Sequence, residues 1–155
     1  MSTTVHLLAG KRPDGQLVYE DVKAENAGDG CYRLLQSPVF ARGAAKGDTI
    51  RVLVAGRFEV ENYGGKLAIR LYSKADIALI HGRVLQLGKV IELEAEQQTD
   101  RFAVYAVEVK QGFDAIEKCF NEALQGFNDA EWQYANVYEE DGQTPLNWWH
   151  DFLAK

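Results

Sequence analysis

The sequence is poor in the residues that build disulfide frameworks, metal sites and membrane spans. It has only two cysteines, Cys31 and Cys119, and only three histidines among 155 residues. None of them forms a short-spaced C-x-x-C or H-x-x-x-H pair, so we expect reduced, buried thiols and no metal centre. No run of 18 apolar residues occurs, and the first six residues contain no basic segment. We therefore expect a cytoplasmic protein that binds no membrane.

Sequence signatures of nucleophilic and phosphate-binding enzymes are also missing. There is no G-x-S-x-G elbow, and the glycine-rich residues 63–66 are too short for a P-loop and predict a hairpin turn instead. His81 lies beside the apolar stripe of a predicted helix, where a partly buried, hydrogen-bonded imidazole is expected. We therefore expect a protein that is not an enzyme and needs no cofactor.

Charge is divided unevenly along the chain. Residues 1–70 hold ten lysines and arginines against eight acidic residues, whereas residues 71–155 hold seven against fifteen. A negative second half repels phosphate backbones and attracts basic surfaces. We therefore expect a basic protein partner and no direct binding of nucleic acid. An acidic surface that only keeps the protein soluble is the alternative.

The pattern of residues 1–66 is typical of a β-rich subdomain. Turn signals such as Pro13-Asp14-Gly15 and Gly28-Asp29-Gly30 separate short runs of β-branched and aromatic residues. Strands are predicted at residues 5–9, 17–24, 31–35, 49–55 and 58–62. Flat pairs of short strands bury too little surface, so we expect a small bent sheet or a partial barrel.

Residues 67–155 form a second predicted subdomain, in which strands alternate with helices. Apolar residues recur at helical intervals between Ile77 and Leu87, and again between Phe113 and Phe127. Strands are predicted at residues 67–72, 90–96, 102–109 and 132–138. This βαββαβ order is that of a ferredoxin-like fold, with both helices on one face of the sheet. The predicted fold class is therefore α+β, and the tail is expected to end in a short helical segment.

An acidic strip is predicted on the sheet face that the helices leave free for solvent or a partner. Within residues 90–96, Ile91 and Leu93 alternate with Glu92, Glu94 and Glu96, and the helices require the apolar side. Three carboxylates on a rigid strand would steer a basic partner toward this face. A solvated face without a partner is the alternative, since acid–base catalysis by these groups requires a pocket.

Aromatic and acidic residues are concentrated near the end of the chain. Tryptophan and tyrosine beside carboxylates are typical of a surface that binds a basic protein, with rings as anchors and acids for steering. Packing of the same rings in the core is the alternative, and both remain open. The candidate partner-binding residues in this segment are Trp132, Tyr134, Tyr138, Glu139, Glu140, Asp141, Trp148 and Trp149.

A family resemblance is carried by three short segments of the first half. They are Gly28-Asp29-Gly30-Cys31-Tyr32-Arg33-Leu34, Pro38-Val39-Phe40-Ala41-Arg42-Gly43 and Gly47-Asp48. Their order resembles the G-D-G-x-Y-x-L, P-x-F-A-x-G, G-D motif of a bacterial family that carries a domain of unknown function. Some members of that family resemble immunity proteins, which are encoded beside secreted antibacterial toxins and block a toxin by occupying it. The resemblance brings no catalytic residues.

The motif also has a structural interpretation. Its glycines suit backbone conformations with positive φ, and Tyr32 and Phe40 are expected to fill the core of the small barrel. Together, the resemblance and the acidic second half imply an immunity protein that neutralises a cognate toxin, such as a basic nuclease, by occluding it. The alternatives are a small-molecule-binding or enzymatic ferredoxin-like domain, and a structural module that oligomerises through its open sheet.

Overall fold

Residues 2–153, which the computed structural model describes, form two antiparallel β-sheets and three α-helices. The first sheet contains β1 (Ser2–Lys11), β2 (Leu17–Gly28), β3 (Cys31–Leu34), β4 (Thr49–Val52) and β5 (Phe58–Asn62). The second sheet contains β6 (Lys66–Ser73), β7 (Glu94–Gln98), β8 (Phe102–Glu108) and β9 (Ala130–Tyr134). The helices are α1 (Ala78–Leu87), α2 (Phe113–Ala123) and α3 (His150–Leu153). The fold is thus α+β, and no helix in the described range is long and apolar enough to cross a membrane.

The first sheet is a meander in which each strand pairs with the next one along the chain. Alternate residues of β1 and β2, such as Val5 and Val22, pair across the ladder and are buried in a small core. The connection between β4 and β5 returns to β1 and β2. A Cβ atom at Gly56 would lie 2.9 Å from the Tyr19 ring and 3.0 Å from the Leu8 amide nitrogen. The sheet is therefore strongly curved.

The second sheet has the strand order β7-β8-β6-β9, and all neighbouring strands are antiparallel. On central β6, Leu67, Ile69 and Leu71 face the helices and are fully buried. They pack in one core with the apolar stripe of α2, as its helical spacing predicts, and with the buried residues of α1. The residues of that stripe are Ile116, Cys119, Phe120 and Ala123.

The predicted strand at residues 90–96 is wrong over its first half. The chain forms a 3-10 turn from Gly88 to Ile91, and β7 begins only at Glu94. Ile91 is buried with the helices, so it continues the core of α1 instead of starting a strand. Glu92 then adopts a left-handed conformation with φ of 53°, which reverses the chain. The alternation of glutamates with apolar residues therefore predicted a strand at a place where the chain forms a turn, because Ile91 is buried in the core with the helices.

Two other predicted elements differ from the structure. β9 ends at Tyr134 because the Asn136 side chain, and no longer the backbone of a strand, accepts from the Ala68 amide of β6 and donates to the Lys66 carbonyl, and residues 135–137 form buried bends. Residues 63–65 do not form a hairpin, since β5 and β6 belong to different sheets. This short segment is where the chain passes from the first sheet to the second.

Candidate functional site

The motif segment lies across the face of the second sheet that we expected to be free. We call residues 37–48, between β3 and β4, the motif loop. Ala45 packs against Ala68 of β6 and Ala135 after β9, and all three are buried. The amide of Gly43 donates to the Ala135 carbonyl at 2.9 Å. Small side chains let the loop backbone approach the sheet closely. The expected free face is therefore largely occupied by the protein itself.

Two charged side chains hold the first part of the motif loop. The carboxylate of Glu20 accepts hydrogen bonds from the amides of Val39, Phe40 and Ala41 at 2.9, 2.9 and 2.5 Å. The guanidinium of Arg70 donates to the carbonyls of Pro38, Phe40 and Ala41. Burial lowers the pKa of Arg70 to about 10, so it remains charged at neutral pH. The first sheet thus holds the loop through the carboxylate of Glu20, and the second sheet holds it through the guanidinium of Arg70.

Asp48 closes the other end of the motif loop. It is fully buried, and its carboxylate accepts from the amides of Ala45 and Gly64 at 2.9 and 2.8 Å. Burial raises its pKa to about 7, although both hydrogen bonds act in the opposite direction. A Cβ atom at Gly64 would lie 2.6 Å from the Gly47 carbonyl oxygen. Because Gly47 and Gly64 have no side chains, the motif loop approaches the connection between the sheets closely enough for Asp48 to bind the Gly64 amide.

The acidic strip predicted at Glu92, Glu94 and Glu96 is not a free surface. Glu94 pairs with Lys46 at 2.5 Å and with Lys66 at 3.3 Å, and the hydrogen bond from Lys46 lowers its pKa. Glu96 accepts from the Ser37 amide at 2.8 Å, and burial raises its pKa. Both lie on the face away from the helices, as their alternation predicts. The motif loop covers them there, so they bind the protein's own backbone and lysines.

Glu92 stands apart from the other two glutamates. It is exposed before β7 and accepts a hydrogen bond from Gln111 at 3.1 Å. With Lys66, Glu94 and Glu108 it lines an open hollow of about 230 Å³ whose floor is Ala106. A second open hollow, of about 520 Å³, lies between α1 and α2 and is lined by Arg83, Gln86, Leu87, Glu122 and Gln125. Charged side chains that already pair with protein atoms line both hollows.

Three of the five aromatic candidates at and beyond β9 are core residues. Tyr134 and Trp149 are 9% exposed and Trp148 is 7% exposed. Trp148 stacks on Tyr63 with ring centroids 5.0 Å apart, and its indole nitrogen donates to the Asn136 carbonyl. These rings attach the tail to the end of the second sheet. The structure favours the core alternative for Tyr134, Trp148 and Trp149, because other residues of the protein enclose almost all of their side chains.

The remaining aromatic candidates are more accessible. Trp132 on β9 is half-buried against Phe120, and its indole nitrogen donates to Asn121 at 2.9 Å. Tyr138 is 42% exposed and begins a hairpin that also exposes Glu139, Glu140 and Asp141. These four consecutive residues are the predicted candidates that the structure does bring together at the surface.

Phe40 is the reverse case, an expected core residue that lies at the surface. Its ring is 58% exposed, although its backbone is held by Glu20 and Arg70. It lies 6.0 Å from the Phe102 ring, and Phe102 pairs across the ladder with the exposed Tyr72. The loop turns its small residues toward the sheet, so the ring of Phe40 projects outward.

The cysteines and His81 have the environments that we expected. Cys31 and Cys119 are buried free thiols, and burial raises the pKa of Cys119 to about 11. The Nδ1 atom of His81 lies 2.5 Å from the Tyr105 hydroxyl, and burial lowers the pKa of the imidazole. Among residues 2–153, no three His, Cys, Asp or Glu side chains are grouped to hold a metal ion.

Sequence reasoning missed Glu20 and Arg70, the two residues that hold the motif loop. A signal was available for each. Glu20 pairs with the buried Leu7 across the ladder, and Arg70 stands between Ile69 and Leu71 on the central strand. A charged residue on a strand face that packs against another element needs a partner there, since burying an unpaired charge is costly. Their partners, backbone groups of a loop, have no signature in a sequence.

Comparison with known proteins identifies the family. No curated protein sequence matches the chain significantly. A hypothetical protein from Neisseria gonorrhoeae, known from a crystal structure, shares the fold with a TM-score of 0.70 and 12% sequence identity. That similarity covers 87% of this chain and 94% of the Neisseria chain. The family described as "Domain of unknown function (DUF4265)" matches residues 20–133, a range that includes Glu20, the motif loop, Arg70 and Glu96. The chain therefore belongs to the DUF4265 family.

Proposed function

We propose that this protein is an immunity protein that binds a basic protein toxin and blocks it. The observation that carries the proposal is a group of acidic side chains and one tyrosine, formed by the hairpin after β9 and by the first turns of α2, of which all but the half-buried Glu117 are exposed. We call this surface the acidic end. It consists of Asp114, Glu117, Tyr138, Glu139, Glu140 and Asp141.

The hairpin of the acidic end is held in one conformation by its own hydrogen bonds. Tyr138 pairs with Pro145 in an isolated bridge, and the Glu139 amide donates to the Thr144 carbonyl at 2.8 Å. The Asp141 carboxylate accepts from the Thr144 hydroxyl and from two backbone amides, and these bonds lower its pKa. A turn fixed in this way presents Glu139 and Glu140 without a large loss of entropy on binding.

Helix α2 adds two carboxylates beside the hairpin. The Tyr134 hydroxyl donates to Glu117 at 3.0 Å. Burial raises the pKa of Tyr134, and the nearby charge of Glu117 and the groups of Tyr138 and Asp114 raise it further. The Tyr134 hydroxyl thus links β9 to the first turns of α2. Within residues 2–153, no lysine or arginine forms an ion pair with any carboxylate of the acidic end.

Uncompensated negative charge of this kind favours a basic partner. It attracts the partner over distances of about 8–10 Å at physiological salt and orients the encounter. Tyr138 supplies a ring with a polar tip, the type of residue that anchors an interface. The identification of the partner as a toxin rests on the motif resemblance. A protein that occludes a basic active-site groove needs such a preformed acidic surface.

We also propose that residues 66–134 form a ferredoxin-like unit. The strand order β7-β8-β6-β9, the antiparallel pairing of all neighbours and the βαββαβ order of elements support it. The acidic end lies where β8 leads into α2 and where β9 leads into the hairpin. A rigid sheet with two helices is therefore the support on which the acidic end is held.

The test is binding to a secreted effector, for which the proposal predicts a gene beside this one. The Glu139→Gln/Glu140→Gln variant should lower the association rate constant by about tenfold at low salt, because it removes two steering charges. Tyr138→Ala should instead raise the dissociation rate constant, because it removes an anchor. Stopped-flow fluorescence at several salt concentrations measures both constants.

The matched control is Glu59→Gln/Glu61→Gln, which removes the same charge from β5 of the first sheet. It should leave the association rate within about twofold of wild type, because its carboxylates belong to the other sheet and not to the acidic end. Equal rates for the two double variants would exclude the acidic end as the docking surface. Failure of the wild-type protein to bind and inhibit the effector would exclude the immunity function.

A further inference from the structure

Strand β9 is an edge of the second sheet. In the strand order it pairs with β6 on one side only. The ladder is flanked by hydrogen bonds from Lys74 to the Asp129 carbonyl at 3.0 Å and from Ala135 to the Ala68 carbonyl at 2.8 Å. In an antiparallel ladder such pairs alternate, so residues 131 and 133 direct their amides and carbonyls toward β6. Ala130, Trp132 and Tyr134 direct theirs outward.

These outward groups are available for pairing. Within residues 2–153, no other segment donates to or accepts from the backbone of residues 130, 132 and 134 on that side. The strand contains no proline, no lysine and no bulge, the features that usually prevent an edge from pairing with another chain. Its edge is therefore a template for one more strand.

Side chains on the face of β9 away from the helices are complementary to a copy of themselves. Arg42 of the motif loop donates to the side chain of Gln133 at 3.1 Å. Glu131 lies two residues before Gln133, so both project from the same face. Arg42 and Glu131 are exposed, and neither forms an ion pair with another of the described residues. A positive and a negative group thus stand side by side along one edge.

We propose that β9 pairs with β9 of a second copy of this chain, antiparallel and about a twofold axis at Trp132. In that register Trp132 lies opposite its own equivalent, and Glu131 lies opposite Gln133 of the partner subunit. The partner's Arg42, held at that glutamine, then meets Glu131, and symmetry forms the pair twice. The two sheets become one sheet of eight strands.

Two further features fit this arrangement. The half-buried Trp132 ring faces its equivalent across the axis, and cross-strand aromatic pairs stabilise antiparallel strands. The exposed Tyr72 lies beside Glu131 on the neighbouring strand, so its ring is next to the position that the partner's Arg42 takes in this arrangement. This interface goes beyond the proposed toxin binding, since it uses another surface and another partner.

The test is a charge exchange measured by sedimentation equilibrium of the full chain without any toxin. The wild-type protein should reach twice its 17.4 kDa mass as concentration rises. Glu131→Arg and Arg42→Glu should each raise the dimer dissociation constant by about tenfold or more, because each places like charges together. The double variant should return the constant to within about threefold of wild type, because it restores opposite charges.

Glu59→Arg is the control, since it makes the same charge change on an exposed residue of β5 in the first sheet and should leave dimerisation unchanged. Circular dichroism checks that each variant is folded, and hydrogen exchange gives a second measurement on the wild-type protein alone. The amides of Trp132 and Tyr134 should gain protection at dimer-forming concentrations. A monomer at millimolar concentration, or single variants that dimerise like wild type, would overturn the proposal. Toxin binding by such a monomer would leave the proposed function standing.

Discussion

The buried carboxylate of Asp48 connects two segments of this fold. Its two oxygens bind one amide inside the motif loop and one in the segment that connects the sheets. No lysine or arginine among the described residues pairs with it, so burial raises its pKa to about 7. Its protonation state therefore changes near neutral pH, and the stability of the protein changes with it.

Replacement of Asp48 by asparagine should reveal this titration. Between the ordinary pKa of 3.8 and about 7, the folded state retains a proton that the unfolded state has released. The contribution of Asp48 to stability is thus fully present at low pH and is lost as pH rises through this window. The difference in free energy of unfolding, wild type minus Asp48→Asn, should fall by about 2–3 kcal/mol from about pH 5 to about pH 8.

Urea denaturation of both proteins at the two pH values measures this difference. Other groups that titrate, such as Glu96 and His81, are present in both proteins and largely cancel. A difference that stays constant, or that rises with pH, would show that Asp48 titrates near its ordinary value.

Phe40 shows that residue type alone does not decide whether a side chain in a loop is buried. A phenylalanine between two turn-forming segments predicts burial, yet its ring is exposed while Ala41, Ala44 and Ala45 are buried. The loop lies between the sheets, since Ala41 and Ala44 are buried in the core of the first sheet and Ala45 packs on the second. The direction of a side chain in a loop depends on contacts with distant strands, which neither spacing nor hydrophobicity records.

Among the elements, the motif loop is the least regular and the most firmly held. It has no strand or helix of its own, and its amides and carbonyls bind side chains from β2 and β6. Glu20→Gln leaves one acceptor oxygen for three amides. The variant should lose roughly 1–3 kcal/mol of unfolding free energy, because at least one buried amide loses its partner.

Hydrogen exchange locates this effect within the chain. The amides of Val39, Phe40 and Ala41 should exchange faster in Glu20→Gln than in wild type, relative to the amides of β6. Glu25→Gln is the control, since it removes an exposed carboxylate of the same strand that pairs with Arg33, and it should cost less than about 1 kcal/mol. Equal exchange at residues 39–41 in the two variants would contradict the role given to Glu20.

The strands and helices with a regular pattern were predictable from the sequence. The apolar alternation of β6 and the helical stripe of α2 each identify one buried face, and both faces are buried in the structure. The prediction fails at Ile91 and Glu92, where an alternating run conceals a turn. A local pattern indicates which residues are apolar, but the length of α1 and its continuation into the 3-10 turn decide where the chain reverses.

On the scale of the whole molecule, the candidate site was less predictable than the fold. The acidic strip was placed on a free face because nothing in residues 67–155 covers that face. Its cover comes from the first half, through contacts of Ser37 and Lys46 with glutamates about fifty residues later. Glu92 is exposed by itself, and the candidates that remain together at the surface are those of the hairpin, Tyr138 to Asp141, whose turn projects beyond the end of β9.

Contacts shared between the sheets should make unfolding cooperative. All three tryptophans lie in residues 132–149, so their fluorescence reports on the second half alone. Amide signals of β1 and β2 in nuclear magnetic resonance report on the first sheet. Because Glu20, Asp48, Arg70 and Glu96 all bind the same loop, the two signals should change at the same urea concentration.

A fragment of residues 1–64 provides the comparison for this prediction. It keeps all five strands of the first sheet but lacks Arg70 and Glu96, so its loop carbonyls and the Ser37 amide lose their partners. The fragment should not give the dispersed amide spectrum of a folded protein. Separate urea midpoints in the full chain, or a folded fragment, would show that the first sheet is stable on its own.

The position of the motif loop also affects the order in which the chain is completed on the ribosome. The loop is synthesised before β6, β8 and β9, so Ala45 emerges with no sheet to lie on and the loop carbonyls emerge without Arg70. Domains of nascent chains become stable only when their contacts are complete. A pause in translation between Asp48 and Ala130 would prolong the exposure of this unfinished surface to chaperones and proteases. Codon usage in that interval is therefore expected to influence the yield of folded protein more than codon usage after Tyr134.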